Sequence, residues 1–413
     1  IAPPDWMSAE DTMRLFDALN AGGAEVRFVG GCVRDAVLGR PVTDIDLATD
    51  AEPPRVIELL GEKLIKAVPT GVDHGTITAI PTQRPFEITT LRQDVETDGR
   101  RAEVRFTKDW ATDAARRDFT INALSADRDG TIYDYVDGLS DLRAGHVRFI
   151  GNPEDRIAED SLRILRFFRF QATYASSDPN AAALDACHEA SSQVEALSGE
   201  RVWQELSRIL CVAEPGAVFD LMEDVRVLRL LLPVGRSVRR LQALAALEDM
   251  VRMTPEAIRR LTALIQPDRQ EASQIATRLR LSRAETARLD ELSASRGGSS
   301  AAMPDLSVRR SLYALGQDVF RDLILLDWAD QIAREPALAA GNTQDWKATW
   351  DATKDWTSPE FPMTGEDALA AGAKEGPDIG EILEDIEEWW VDQAFRPDRE
   401  ECLDRLRIAM RRR

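Results

Sequence analysis

The 413-residue chain reads as an α+β protein, a strand-bearing head followed by helices to the end. Three observations predict this. β-Branched or alternating stretches such as TDIDLAT, HGTITAI and FEITTLR fall before residue 150. From about residue 153 helical periodicity takes over and convincing strands stop. Breaks near 172–180, 293–305 and 355–365, rich in Ser, Gly, Pro and Asp, then divide the remainder into helical segments.

In order, residues 8–21 form an amphipathic helix, and EVRFVG (25–30) is a strand ending at two glycines. CVRDAVLG (32–39) is a helix closed by Gly39. TDIDLAT (43–49) alternates as a strand, with Asp44 and Asp46 on one face and Ile45 and Leu47 on the other. EPPRVIELLGEK is a helix, and HGTITAI and FEITTLR suit paired strands. Residues 93–113, polar and rich in Gly and Asp, read as a mobile loop. AEDSLRILRFFRF (158–170) reads as one helix whose polar stripe carries Glu159, Asp160, Arg163 and Arg166. No short internal repeat stands out.

With 44% hydrophobic residues the chain can bury several cores, and it has no apolar run long enough to span a membrane. Four scattered cysteines without a CxxC, and three histidines, give no obvious zinc site. Buried thiols in a reducing compartment are expected. The start lacks a charged and then apolar leader pattern, so the cytoplasm is the expected location. A net charge of −20 argues weakly against a nucleic-acid partner, but distribution decides more than the sum. Of the basic residues only six are lysine, and arginines pair at 116–117, 239–240, 259–260, 309–310 and 411–413. Arginine forks onto phosphate, although a GC-rich genome would give the same bias.

The densest chemistry lies in VGGCVRDAVLGRPVTDIDLATD. Gly30 and Gly31 let backbone N–H groups approach an anion, and Arg34 would strengthen a phosphate site. Asp44 and Asp46, two apart on a strand, project to one side, which suits two Mg²⁺ ions shared with substrate phosphates. Alone, a D-x-D is a polar strand face and a GG is a turn; together, in strand–GG–helix–strand order, they are far more specific.

GGCVRD followed by DID resembles the class II tRNA nucleotidyltransferases and bacterial poly(A) polymerases of the polymerase-β superfamily. The resemblance continues through RRDFTINAL (116–124), DGLSDLRAGHVRFIGNPEDRIAEDSLRILRFFRF (137–170) and GERVWQEL (199–206), in the expected order over the first half of the chain. It implies a polymerase-β-type nucleotidyltransferase head with a mixed sheet over 1–146, a helical neck carrying the nucleotide-selection helix over 147–210, a body over 211–300 and a tRNA-binding tail over 301–413. It assigns ribose recognition to Arg117 and Asp118, where a carboxylate can accept from a 2′-OH; helix capping by Asp118 is the local alternative. Glu87 in FEITTLR is a candidate third acidic residue at the metals, or a solvated strand residue. Asp98, Arg100 and Arg101 resemble a loop of enzymes able to add the final A, with an ordinary exposed hairpin as the alternative.

EDSLR matches the family's E-D-x-x-R nucleotide-selection motif. Cytosine and adenine each present a ring-nitrogen acceptor beside an amino donor. Arg163 donates and Asp160 accepts, so the pair suits both bases, whereas uracil and guanine would turn a carbonyl toward Asp160. Glu159 orients Arg163 by an i,i+4 pair, and Arg166 shares the stripe within reach of the base or triphosphate. GERVWQEL is read as structural, with Arg201 and Glu205 in local ion pairs.

The resemblance thus implies addition of CCA to a tRNA lacking a complete CCA end, from CTP and ATP, with two Mg²⁺ ions and no obligate protein partner. VPTGVDHGTITAI lacks the arginines usual in the poly(A) polymerases, and the DGRR loop favours full CCA addition over CC alone; A-only addition shares every motif. No HD dipeptide occurs, which argues against a phosphohydrolase domain. The helical C-terminal half is expected to hold tRNA by shape and phosphate contacts, with Arg239, Arg240, Arg259 and Arg260 as compositional candidates and Trp389 and Trp390 as packing residues.

Overall fold

The computed structural model describes residues 1–97, 102–373 and 377–411, which fall into two compact units: 1–234 with 278–280, and 235–277 with 281–413. The first unit opens with α1 (Glu10–Ala21), whose Leu15, Phe16 and Leu19 are buried. Phe16 packs on Phe28 of β1 (Val26–Val29), ring centroids 4.8 Å apart. Then come α2 (Gly31–Val37), β2 (Asp46–Thr49), α3 (Pro53–Glu62), β3 (Lys66–Gly71), β4 (Thr76–Ile80), β5 (Phe86–Thr90), β6 (Arg92–Thr97), β7 (Ala102–Phe106) and α4 (Trp110–Ala115). They are followed by β8 (Ser125–Ala126), β9 (Ile132–Tyr133), α5 (Gly138–Ala144), α6 (Pro153–Glu159), α7 (Leu162–Tyr174), α8 (Ala181–Glu189) and α9 (Gly199–Leu210).

Seven strands form one mixed sheet in the order β3-β4-β5-β2-β1-β8-β9. Among the described residues only β2 and β5 run parallel within it, and their register sets Asp46 beside Glu87. No described residue after Tyr133 lies in a strand, so the α+β reading of a mixed-sheet head and a helical remainder holds.

Four local expectations change. The described residues of 93–113 are largely regular: β6 and β7 pair antiparallel, and α4 follows, capped by Asp109, whose side chain accepts from the Ala111 N–H at 3.1 Å. RQDVET and AEVRF carry one Val each, too little apolar alternation to announce a ribbon. Asp98, Arg100 and Arg101 lie outside the described residues. Asp44 precedes β2, because ladder partners begin at Asp46; the alternation nonetheless extends back, with Ile45 buried and Asp44 exposed. β3 was not foreseen. And residues 158–170 are not one helix: α6 ends at Glu159, Asp160 is extended (φ −156°, ψ 106°), and α7 starts at Leu162.

The apolar face of α7 seats the break. Phe119 contacts Phe149 and Phe170 at centroid distances of 4.7 and 5.1 Å, and Phe149 stacks on Phe167 at 5.8 Å. This buried aromatic cluster fixes the RRDF segment against α7, so the polar residues of both face the same space. Cys32, Cys187 and Cys402 are buried, Cys211 is half-buried, and all four are free thiols.

In the second unit, the helices Val238–Val251, Ala257–Ile265 and Gln317–Arg334 pack around a buried charge network. Glu248 accepts from Arg259 at 2.7 Å and from Arg260 at 2.6 Å, and Asp322 accepts from Arg259 at 2.9 Å and also from Arg288. Arg240 pairs with Asp330 at 3.1 Å. Arg259 and Arg260 are 2% and 1% exposed and Arg240 is buried too, which overturns their candidacy as tRNA contacts; Arg239 is exposed. Arginines inside a helical core need carboxylate partners, and the sequence separation of those partners hid the network. Trp390 is buried with Ile382, Ile386, Cys402 and Leu406, and Trp389 packs against them.

Candidate active site

One cavity of about 440 Å³ gathers most of the sequence-marked residues. Gly30, Gly31 and Arg34 come from the β1–α2 turn and Asp46 from the start of β2. Arg117 and Asp118 follow α4, and Asp160, Arg163 and Arg166 come from the α6–α7 break and the first turns of α7. Arg92, Arg116, Asn122 and Phe170 complete the wall. The lining counts six arginines against three aspartates, a surplus of three positive charges in a chain of net −20. The wall thus turns guanidinium groups toward the cavity, while Asp35, Asp113, Glu159 and Glu205 pair with them from behind.

Gly30 has φ +73°, a conformation that glycine adopts without strain, and its N–H donates to the Leu124 carbonyl at 3.0 Å. Arg34 is 7% exposed and held on three sides: it pairs with Asp35 at 3.0 Å, donates to Asn122 Oδ1 at 2.6 Å and donates to the Tyr174 hydroxyl.

Asp46 is half-buried, with Glu87 beside it in register and Asp44 exposed two residues earlier. Burial, then Glu87, then Asp44 push the Asp46 carboxyl up, against the pull of Arg117. Among the described residues no three His, Cys, Asp or Glu side chains are close enough together to hold a metal by themselves. Asp44 and Glu87 do not line the cavity.

Asp118 is 8% exposed. Its Oδ1 accepts from the Phe119 N–H at 2.9 Å and the Asn122 amide at 3.1 Å, and its Oδ2 accepts from Arg166 Nε at 2.7 Å. Burial alone would raise this carboxyl, but Arg166 and Asn122 hold it below the usual carboxylate range. Arg166 is thus spent on Asp118 and, at 3.7 Å, on Glu205 of α9.

At the α6–α7 break, Asp160 lines the cavity while Oδ1 accepts from the Leu162 N–H at 3.1 Å and Oδ2 from Arg201 at 2.6 Å. Arg163 also lines the cavity; its Nη1 donates to the Arg156 carbonyl at 2.8 Å and to Glu159. Glu159 sits behind Arg163 rather than in the wall and also takes Arg156 at 3.0 Å. Arg201 and Glu205 are not locally paired as expected: Arg201 reaches Asp160, and Glu205 holds Arg169 and Arg166.

Known proteins match this arrangement. A family model described as the Poly A polymerase head domain matches residues 26–148, and one described as the probable RNA and SrmB-binding site of polymerase A matches 180–237. The chain is 32% identical over 393 residues to CCA tRNA nucleotidyltransferase 1, mitochondrial, of Danio rerio, covering 92% of this chain and 87% of that protein. The chain belongs to the class II CCA-adding tRNA nucleotidyltransferase family. It is also 41% identical over 197 residues to the CCA-adding enzyme of Oceanobacillus iheyensis, 47% of this chain and 48% of that one. The fold matches the Bacillus stearothermophilus CCA-adding enzyme, solved in complex with CTP, with TM-score 0.72 and 22% identity over 97% of both chains.

Sequence reasoning missed Arg92, Arg116 and Arg201. Arg116 sat in plain view in the RR pair, but Arg92 and Arg201 follow only from the fold.

Proposed function

We propose that this protein completes the 3′ end of tRNA by adding C, C and A from CTP and ATP, with release of pyrophosphate and no nucleic-acid template. The observation that carries this reading is the placement of Asp160 and Arg163 on the wall of the cavity that also contains Asp46, so that a base-reading pair and a nucleotidyl-transfer carboxylate share one space.

Family membership implies a divalent metal. Asp44, Asp46 and Glu87, whose like charges push the Asp46 carboxyl up, are the residues that would hold it. Two Mg²⁺ ions bound there would supply positive charge that favours ionisation of the tRNA 3′-hydroxyl and departure of pyrophosphate. Gly30, Gly31 and Arg34 cradle the triphosphate. Asp118, kept ionised by Arg166, accepts from the ribose 2′-hydroxyl, and Arg117 lies alongside. Arg163 donates to the ring nitrogen of C or A and Asp160 accepts from its amino group. A uracil or guanine carbonyl meets Asp160 instead and is rejected. Arg166 acts through Asp118, and Glu159 through Arg163.

The helical tail over 301–413 is the proposed tRNA-binding segment. The proposed location is the cytoplasm, where free thiols stay reduced, although the Danio rerio relative is named as mitochondrial. No helix among the described residues is long and apolar enough to cross a membrane.

The test is incorporation of labelled CTP and ATP into tRNAs lacking CCA, CA or A. Three, two and one additions respectively are expected. A long A tail would support the poly(A) reading, and a stop after CC or failure on all but the A-lacking tRNA would assign a partial activity.

A further inference from the structure

Asp113 lies on α4, 3% exposed, and carries no role in the reading above. Its two oxygens organise three arginines of the cavity wall. Oδ1 accepts the backbone N–H of Arg92 at 3.2 Å and both Nε and Nη2 of Arg116, at 2.8 and 2.7 Å. Oδ2 accepts Nη2 of Arg117 at 3.2 Å. Arg117 is fixed from another side as well, donating through Nη1 to the Asn122 carbonyl at 3.3 Å.

One carboxylate against two guanidiniums leaves a net positive charge. Here Arg92, Arg116 and Arg117 all line the cavity, and Arg117 stands beside Gly30 at the triphosphate end: a Cβ added there would lie 3.3 Å from Arg117 Nη1. A guanidinium held along one edge by a carboxylate keeps its plane fixed and its remaining N–H groups aimed at whatever fills the cavity. Such a wall binds anionic oxygens without reorganising when they arrive. We infer that Asp113 is a positioning residue that aims Arg116 and Arg117 at the phosphates of the incoming nucleotide.

The inference rests on the proposed function for its substrate. Phosphates also arrive on the tRNA 3′ end, so the experiment separates the two sources. The full chain carrying D113N, R116Q or both is compared with the unaltered protein in five measurements. These are KM for CTP and ATP, KM for tRNA, inhibition by inorganic pyrophosphate, equilibrium binding of CTP without tRNA, and thermal unfolding.

D113N keeps an acceptor for the Arg92 N–H and loses the charge. It raises KM for both nucleotides and weakens pyrophosphate inhibition by about tenfold, the worth of one charge-assisted contact. tRNA KM and rejection of UTP stay unchanged. R116Q moves the same quantities in the same direction, and the double variant falls short of the product of the two effects, since both remove one arrangement.

A folded D113N with unchanged nucleotide KM and pyrophosphate inhibition would overturn the inference. So would a rise confined to tRNA KM, which would give these arginines to the tRNA backbone. Should D113N fail to fold, R116Q decides by the same two criteria. Should the unaltered protein incorporate no nucleotide at all, the proposed function fails while CTP binding still reads the effect of Asp113.

Discussion

Arg201 holds Asp160 in place across 2.6 Å, tying the α6–α7 break to α9. The Asp160 carboxylate is held at both oxygens, by the Leu162 N–H at 3.1 Å and by Arg201. Arg201→Ala is therefore expected to lower kcat/KM for CTP and ATP by about tenfold and to narrow the preference over UTP, while transfer chemistry persists. Single-turnover incorporation of each nucleotide checks this. Equal loss for all four nucleotides would show that Arg201 acts elsewhere.

Asp46 shares its strand register with Glu87 and has Asp44 nearby, a crowd of like charges that destabilises the fold unless a cation fills it. Asp46→Asn should cut incorporation by at least about 10³-fold, since the charge stabilisation expected at such a centre is several kcal/mol. In metal-free buffer the unfolding temperature should hold or rise. Residual turnover near the original rate would remove Asp46 from the transfer step.

Asp118 sets a pH dependence. Burial would raise its carboxyl, but Arg166 and Asn122 hold it below the usual range. Its folded pKa is thus depressed relative to the unfolded value of about 3.9, so its stabilisation is fully present above that value and is lost as pH falls through the folded pKa. Asp118→Asn should flatten the loss of stability below about pH 4 and should also reduce the preference for CTP over dCTP. Acid titration of unfolding and paired ribo- and deoxyribonucleotide kinetics check the two effects.

Glu248 is 1% exposed and accepts from both Arg259 and Arg260. Glu248→Ala leaves two guanidiniums short of a partner in the helical core and should cost about 3–5 kcal/mol in denaturant unfolding of that unit. A change below 1 kcal/mol, roughly the value of a surface pair, would mean that these arginines are solvated.

Short-range pattern carried much of this structure into view. β4 and β5 were readable because Thr, Ile and Phe alternate, and Gly30 because a positive φ at the head of α2 suits glycine. The long helical remainder was readable from its period. What failed was long-range. Asp160 and Arg201 are 41 residues apart, and Asp118 and Arg166 are 48 apart, so no window on the chain joins them. The break after Glu159 was hidden because EDSLR contains neither Gly nor Pro; the Asp160 side chain instead takes over the Leu162 N–H and restarts the helix. Arg240, Arg259 and Arg260 looked like RNA contacts because composition cannot tell a solvated arginine from one paired in a core.

In the proposed function, protein side chains rather than a nucleic acid choose the base. This is tested most directly by measuring incorporation of CTP, ATP, UTP and GTP into tRNA lacking CCA with Arg163→Ala beside the unaltered protein. The unaltered protein is expected to take only CTP and ATP, and the variant to lose about 1–3 kcal/mol of discrimination, so that UTP and GTP incorporation rises about 5- to 150-fold relative to CTP and ATP. Discrimination unchanged in a folded, active Arg163→Ala protein would contradict it.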